Sequence, residues 1–177
     1  STKAVGLKIK LNKKIFENEG DLLITHWGFS GPGILKLSSI AARELYDEKY
    51  KFKLVICWSK LDINELVQKI KNLREKSGKS NLQNVRPLSS LTRRLWIFLL
   101  KKIGINEDKK WSEINANERD AIIKVLLHDE YKIIGKGPFG EEFVTAGGVS
   151  LNEINFKTME SKICRGLFFA GEVLDID

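Results

Sequence analysis

Apolar residues alternate with lysines from Val5 to Leu11, in the order VGLKIKL, so every second side chain can face a core while its neighbours meet water. That period of two predicts a strand. KIFENEGDLLIT (Lys14 to Thr25) reads as two more strands around a turn at Glu19 and Gly20. After Ser30-Gly31-Pro32 the period changes. Ile34, Leu37, Ala41 and Leu45 recur at helical spacing and Pro32 suits a first turn, so a helix is expected to about Tyr46. FKLVICW (Phe52 to Trp58) then returns to a β-rich, mostly buried run.

Helical patterns follow. Asp62 with Glu65 forms a capping-box start for a helix carrying Leu66, Ile70 and Leu73, which Ser77-Gly78-Lys79-Ser80-Asn81 breaks. Pro87, Ser89 and Ser90 are expected to open a second helix with Leu91, Leu95, Phe98 and Leu99 on its apolar face, Trp96 as an anchor and Gly104 as the stop. Asn115 and Glu118 give a third start, ahead of Ala121, Ile122, Val125 and Leu126. From Tyr131 β-type sequence resumes, as YKIIG and then EEFVTAGGV. The fold class expected is α+β. A β-rich, barrel-like body of residues 1–60 and 130–160 is interrupted by a small helical bundle, 61–129, and residues 161–177 run on as a further strand.

With 177 residues and 42% apolar composition the chain can bury a real core. Its longest apolar candidate, LWIFLL (Leu95 to Leu100), falls far short of the roughly 20 residues that cross a bilayer. No signal-peptide pattern opens the sequence, and Cys57 and Cys164 form no CxxC pair, so a soluble, cytoplasmic protein with reduced thiols is expected. The net charge of +7 is concentrated: Lys51 to Lys110 holds fifteen Lys and Arg against five Asp and Glu. Outer faces of amphipathic helices account for such a concentration without any ligand. The alternative is a stand-alone module binding nucleic acid or another anion through Lys69, Lys76, Arg86, Arg93, Arg94, Lys101 and Lys102. No helix-turn-helix, RNP or zinc-finger spacing accompanies the charge, which makes a nucleic-acid partner the lesser expectation. A purely structural or oligomerisation role, with Trp96 and its neighbours meeting a partner chain, is the remaining class.

Three motif-like strings fail on context. Gly135-Lys136-Gly137-Pro138-Phe139-Gly140 spells GxGxxG, but a dinucleotide site needs those glycines to open a helix, and β-type sequence follows. Gly28-Phe29-Ser30-Gly31-Pro32 misses the final glycine of a hydrolase elbow. His128-Asp129-Glu130 has no second cluster with which to hold a metal, so none is expected.

Strand, loop and helix N-terminus succeed one another in GDLLITHWGFSGPGILKLSS (Gly20 to Ser39), an order that turns unpaired NH groups toward one point. There His26 stands as a candidate pocket residue, with Ser30 and Gly31 as the anion or substrate loop. The plainer alternative is that Ser30 caps the helix and His26 closes the loop on backbone. Together with VTAGGVSLNEI (Val144 to Ile154), TMESK (Thr158 to Lys162) and GLFFAGEVLDID (Gly166 to Asp177), this segment resembles the YhiN-like flavoproteins, a family that includes BaiN-type and aminoacetone-oxidase-type enzymes. The resemblance implies the inserted region of a Rossmann-type FAD-dependent oxidoreductase, with NAD(P)H as the candidate reductant. It also implies a partner, the FAD-binding domain of the same polypeptide, and a small-molecule substrate whose identity it does not give. Cofactor-binding roles fall by resemblance on Thr145, Gly147, Gly148, Ala170, Gly171, Glu172 and Asp175. No strand-turn-helix with GxGxxG lies upstream, so this segment alone is expected neither to hold FAD nor to catalyse.

Overall fold

The computed structural model describes residues 2–11, 13–137 and 146–176. Its architecture is α+β, a curled antiparallel sheet with helices. Strands β1 (Thr2–Leu11), β2 (Lys14–Ile24), β3 (Phe29–Ser30), β4 (Phe52–Cys57) and β5 (Asp129–Ile133) form one sheet in the order β3-β2-β1-β4-β5. The alternation seen in the sequence becomes its inner face. Val5, Leu7, Ile9 and Leu11 of β1 and Leu54 and Ile56 of β4 are buried, while Lys8 and Lys10 are exposed.

The hairpin sits elsewhere than the sequence suggests. Leu11 stands opposite Lys14 and Lys13 takes φ 69°, so β2 runs unbroken through Glu19 and Gly20. Gly20 has a packing reason instead of a turning one. A Cβ there would lie 2.7 Å from Gly33 Cα, so the glycine lets helix α1 (Pro32–Ile40) settle on the sheet. The single helix expected to Tyr46 is two, because Ala41 (φ −106°, ψ 18°) separates α1 from α2 (Ala42–Asp47). Leu37, Ala41 and Leu45 nevertheless all reach the core.

Helix α3 (Ile63–Ser77) carries the full capping box: Glu65 N donates to Asp62 Oδ1 (2.9 Å) and Asp62 N to Glu65 Oε2 (2.8 Å). The next helix, α4 (Arg93–Lys102), starts later than Pro87 and is capped by Thr92, whose hydroxyl accepts from Leu95 N at 3.3 Å. Residues 78–92 are instead a packed connection. Trp96 donates to Leu82 O (2.7 Å) and Trp111 to Val85 O (3.1 Å), and the two indoles stack with centroids 6.4 Å apart. Trp96 is wholly buried, so it cannot meet a partner chain. Phe98 is 51% exposed, against expectation. At about 100° per residue, Leu95, Trp96, Leu99 and Leu100 define an arc that Phe98 lies outside. Helix α5 (Ala116–Leu127) has the second capping box, Asn115 with Glu118, and leads directly into β5. One cluster of buried side chains runs from the sheet through these helices. Beyond it, β6 (Ile154–Asn155) and β7 (Glu160–Ser161) form a separate two-stranded ribbon. Among the described residues no helix is long and apolar enough to cross a membrane.

Candidate functional site

The loop after β2 is held by Thr25, a residue given no role among the sequence candidates. Thr25 Oγ1 donates to Gly28 O (3.0 Å) and accepts from Gly28 N (3.2 Å), while Thr25 N donates to the same carbonyl (2.8 Å). A hydroxyl that closes its own loop is the available sequence signal, as an ST-turn. His26 is left exposed, edge-on to Trp27 with ring centroids 3.8 Å apart. Ser30 pairs with Leu23 as part of β3 and does not cap α1. Gly31 occupies the cap position at φ 98°, where a Cβ would come within 2.9 Å of Asp21 O. The plainer roles weighed for Ser30 and His26 thus belong to Gly31 and Thr25.

Two of the candidate segments, more than twenty residues apart in the chain, meet in space. Val149 N donates to Val173 O (2.9 Å) and Asp175 N to Val149 O (3.1 Å), a parallel bridge between the AGGV loop and the GEVLDI segment. Gly148 permits the approach, since a Cβ there would sit 2.6 Å from Val173 O. Gly147 (φ 96°) and Gly171 (φ 73°) flank the bridge, and a Cβ on either would meet nothing within 4 Å. Ala170 and Glu172 are exposed beside them. Asp175 pairs with Arg43 of α2, tying this layer to the sheet's helices. Thr145 lies outside the described residues. The expected apolar strand before Gly171 is reduced to one bridge, Glu160 with Phe168, and its side chains face outward. Phe156, Ile163, Leu167, Phe168, Val173 and Ile176 are between 44% and 75% exposed.

Asp129 gives the core its polar centre. It is 1% exposed, accepts from Trp58 Nε1 (2.9 Å) and pairs with Lys102 of α4, whose ammonium also lies 3.5 Å over the Tyr131 ring. Burial, then the hydrogen bond to Asp129, hold the Tyr131 hydroxyl well above its usual range. Neighbouring His128 meets Glu130 (3.0 Å) on the outer face, so Asp129 alone of the HDE string turns into the core. Among the described residues no three His, Cys, Asp or Glu gather as metal ligands.

The helical unit has a different electrostatic character from the sheet. Lys8, Lys14, Lys53 and Lys60 each reach a glutamate. Between Lys69 and Arg94, eight exposed Lys and Arg stand against Glu75 alone, and none of the eight is ion-paired among the described residues. A cavity of about 240 Å³ opens there, lined by Lys60, Lys69, Ser89 and Ser90 over Trp58 and Leu88. An apolar cavity of about 330 Å³ between α3 and α5 is lined by none of the residues singled out by the C-terminal motifs.

The sequence is 28% identical over 156 residues to the ribosomal RNA dihydrouridine synthase of Escherichia coli, an overlap covering 88% of this chain and 36% of that protein. It is 32% identical over 165 residues to the protein of the same name from Haemophilus influenzae (92% and 37%). A 3-dehydro-bile acid delta(4,6)-reductase from Clostridium scindens is 25% identical over 162 residues (91% and 39%). The chain therefore spans less than two-fifths of the length of these relatives. The family model described as "HI0933-like protein barrel and H2TH domain" matches residues 1–144, which take in the curled sheet and the α3-to-α4 unit. With that match over most of its length, the chain belongs to the HI0933-like family, the YhiN-like flavoprotein family that its motifs resemble.

Proposed function

We propose that this chain is the substrate-side region of a flavin-dependent reductase, and that the FAD-binding domain of the same polypeptide docks against residues 146–176. The observation that carries the reading is the bridge between Val149 and Leu174. It sets two open glycine turns and an exposed acid side by side, on a segment whose large apolar side chains face outward.

The residues present fit a flavin in part. Gly147 and Gly171 leave room for a planar group to approach backbone, and Glu172 offers an acceptor for ribityl or ribose hydroxyls. Gly148 and Asp175 serve the layer itself, the first by close packing and the second through Arg43. Bound FAD, with NAD(P)H as the candidate electron source, would supply the hydride. The relatives' names share one chemistry, saturation of a carbon–carbon double bond, and this chain is assigned the same class. His26 and Trp27, exposed on the loop after β2, are the side chains proposed to line the substrate cleft.

A visible spectrum of protein purified from the natural reading frame tests this. Flavin bands are expected. Glu172→Ala should lower the flavin retained after gel filtration, while Arg93→Ala with Arg94→Ala should leave it unchanged. A colourless protein, or equal retention in Glu172→Ala, overturns the reading.

A further inference from the structure

We propose that the helical unit carries a phosphate-binding site for RNA, centred on the cavity between Lys60, Lys69, Ser89 and Ser90. This assigns a substrate class to the reductase reading and rests on it. Ordinary protein surfaces intersperse the two signs of charge, and the sheet of this protein does so in part, matching Lys8, Lys14 and Lys53 to glutamates while Lys10 and Lys132 stand without one among the described residues. The segment from Lys69 to Arg94 departs from that rule with eight exposed cations and one acid. Unpaired cations on one unit repel each other, a cost that an approaching polyanion removes.

The cavity supplies what a bare charge cluster lacks. Two lysines and the serines Ser89 and Ser90 line one concave site over the buried Trp58 and Leu88, residue types that can donate to a phosphate. One carboxylate competes there, because Lys60 is paired with Glu19. Lys69 carries no such partner among the described residues. Lys76 follows Lys69 by seven residues, about two turns and 10 Å along the same flank of α3. Arg86 precedes the cavity's Leu88 by two residues, and Arg94 stands in the first turn of α4. Extended charge of this kind suits a phosphodiester backbone better than a single small anion. Such contacts hold and orient an RNA without reading its bases.

The test is fluorescence anisotropy with a labelled stem-loop RNA across a salt series, on protein from the natural reading frame. Four engaged cations predict a log–log salt slope of about −3. Lys69→Gln with Lys76→Gln should cut that slope by about half and lower affinity at least about tenfold at low salt. Lys8→Gln with Lys14→Gln, on the paired surface, should change neither. Retained flavin in the helical variant shows that it is folded. Absent RNA binding, a salt-insensitive affinity, a preference for duplex DNA, or a variant equal to wild type each overturns the site. The flavin spectrum is read separately: yellow protein that ignores RNA leaves the reductase standing, and colourless protein that binds RNA sinks the reductase alone.

Discussion

Replacing Asp129 by alanine removes the acceptor on which three elements converge: the end of β4 through Trp58, α4 through Lys102, and β5 itself. The buried Trp58 indole would lose its partner, at a cost of about 1–3 kcal/mol. Lys102 would lose its counter-charge, but its side chain is 30% exposed and still donates to Glu130 O at 2.8 Å, so water and that carbonyl recover part of the loss. The sum is about 3 kcal/mol, at the low end for breaking a buried pair. Lys102→Met should cost more, about 4 kcal/mol, because the charge left behind is Asp129, which is 1% exposed. Urea unfolding followed by tryptophan fluorescence reads both. With an m-value of about 2 kcal/mol/M, the Asp129→Ala midpoint falls by about 1.5 M. Asp129→Asn combined with Lys102→Met should be less damaging than Lys102→Met alone, since no unpaired charge remains. Loss below about 1 kcal/mol for Lys102→Met, or additive behaviour in the cycle, would refute the view of Asp129 as a buried ion that needs its partner.

Gly20→Ala should destabilise the fold by about 1–3 kcal/mol in the same assay, because its methyl would meet the α1 backbone at Gly33; an unchanged midpoint would mean the helix can shift freely. Glu118 is held below its usual 4.5, first by Lys109 and then by the Asn115 backbone at the α5 cap. A depressed carboxylate contributes stability that is present above its unfolded value and lost as pH falls through the folded one. Stability should therefore decline as pH drops below about 4.5, and Glu118→Gln should flatten that decline; an identical acid limb in the variant contradicts the assignment.

Much of the fold was legible because its cues are local. Period two in β1, the capping boxes at Asp62 and Asn115, and the spacing of Leu37, Ala41 and Leu45 all depend on residues within a few positions of one another. The misreadings share a different cause. Gly20 looks like a turn until Gly33 is brought against it, and Phe98 looks like core until Trp96 and Leu100 claim the buried arc. Pro87 and the serines after it resemble a helix start, yet Trp96 and Trp111 hold that stretch as a connection through carbonyls fourteen and twenty-six residues away. At the candidate site the glycine motifs were visible but not their pairing. Only the chain's path brings Val149 beside Leu174, and only then do Gly148 and Gly147 part into a packing residue and an open turn.

The separation of charge from apolar exposure bears on how such a reductase would work. Outward apolar side chains gather in residues 156–176, as they do in 23–46, while cations without an ion-pair partner among the described residues gather in 69–94. A partner domain that buries the first surface need not cover the second, so a substrate could be gripped by its backbone away from the bond being reduced. Grip of that kind is felt equally in the ground state and the transition state. Neutralising Lys69 and Lys76 should then raise KM with kcat unchanged, whereas a change at Glu172 should act through the amount of flavin carried. Surfaces built from different segments, 69–94 and 156–176, should in this way be separable in kinetics.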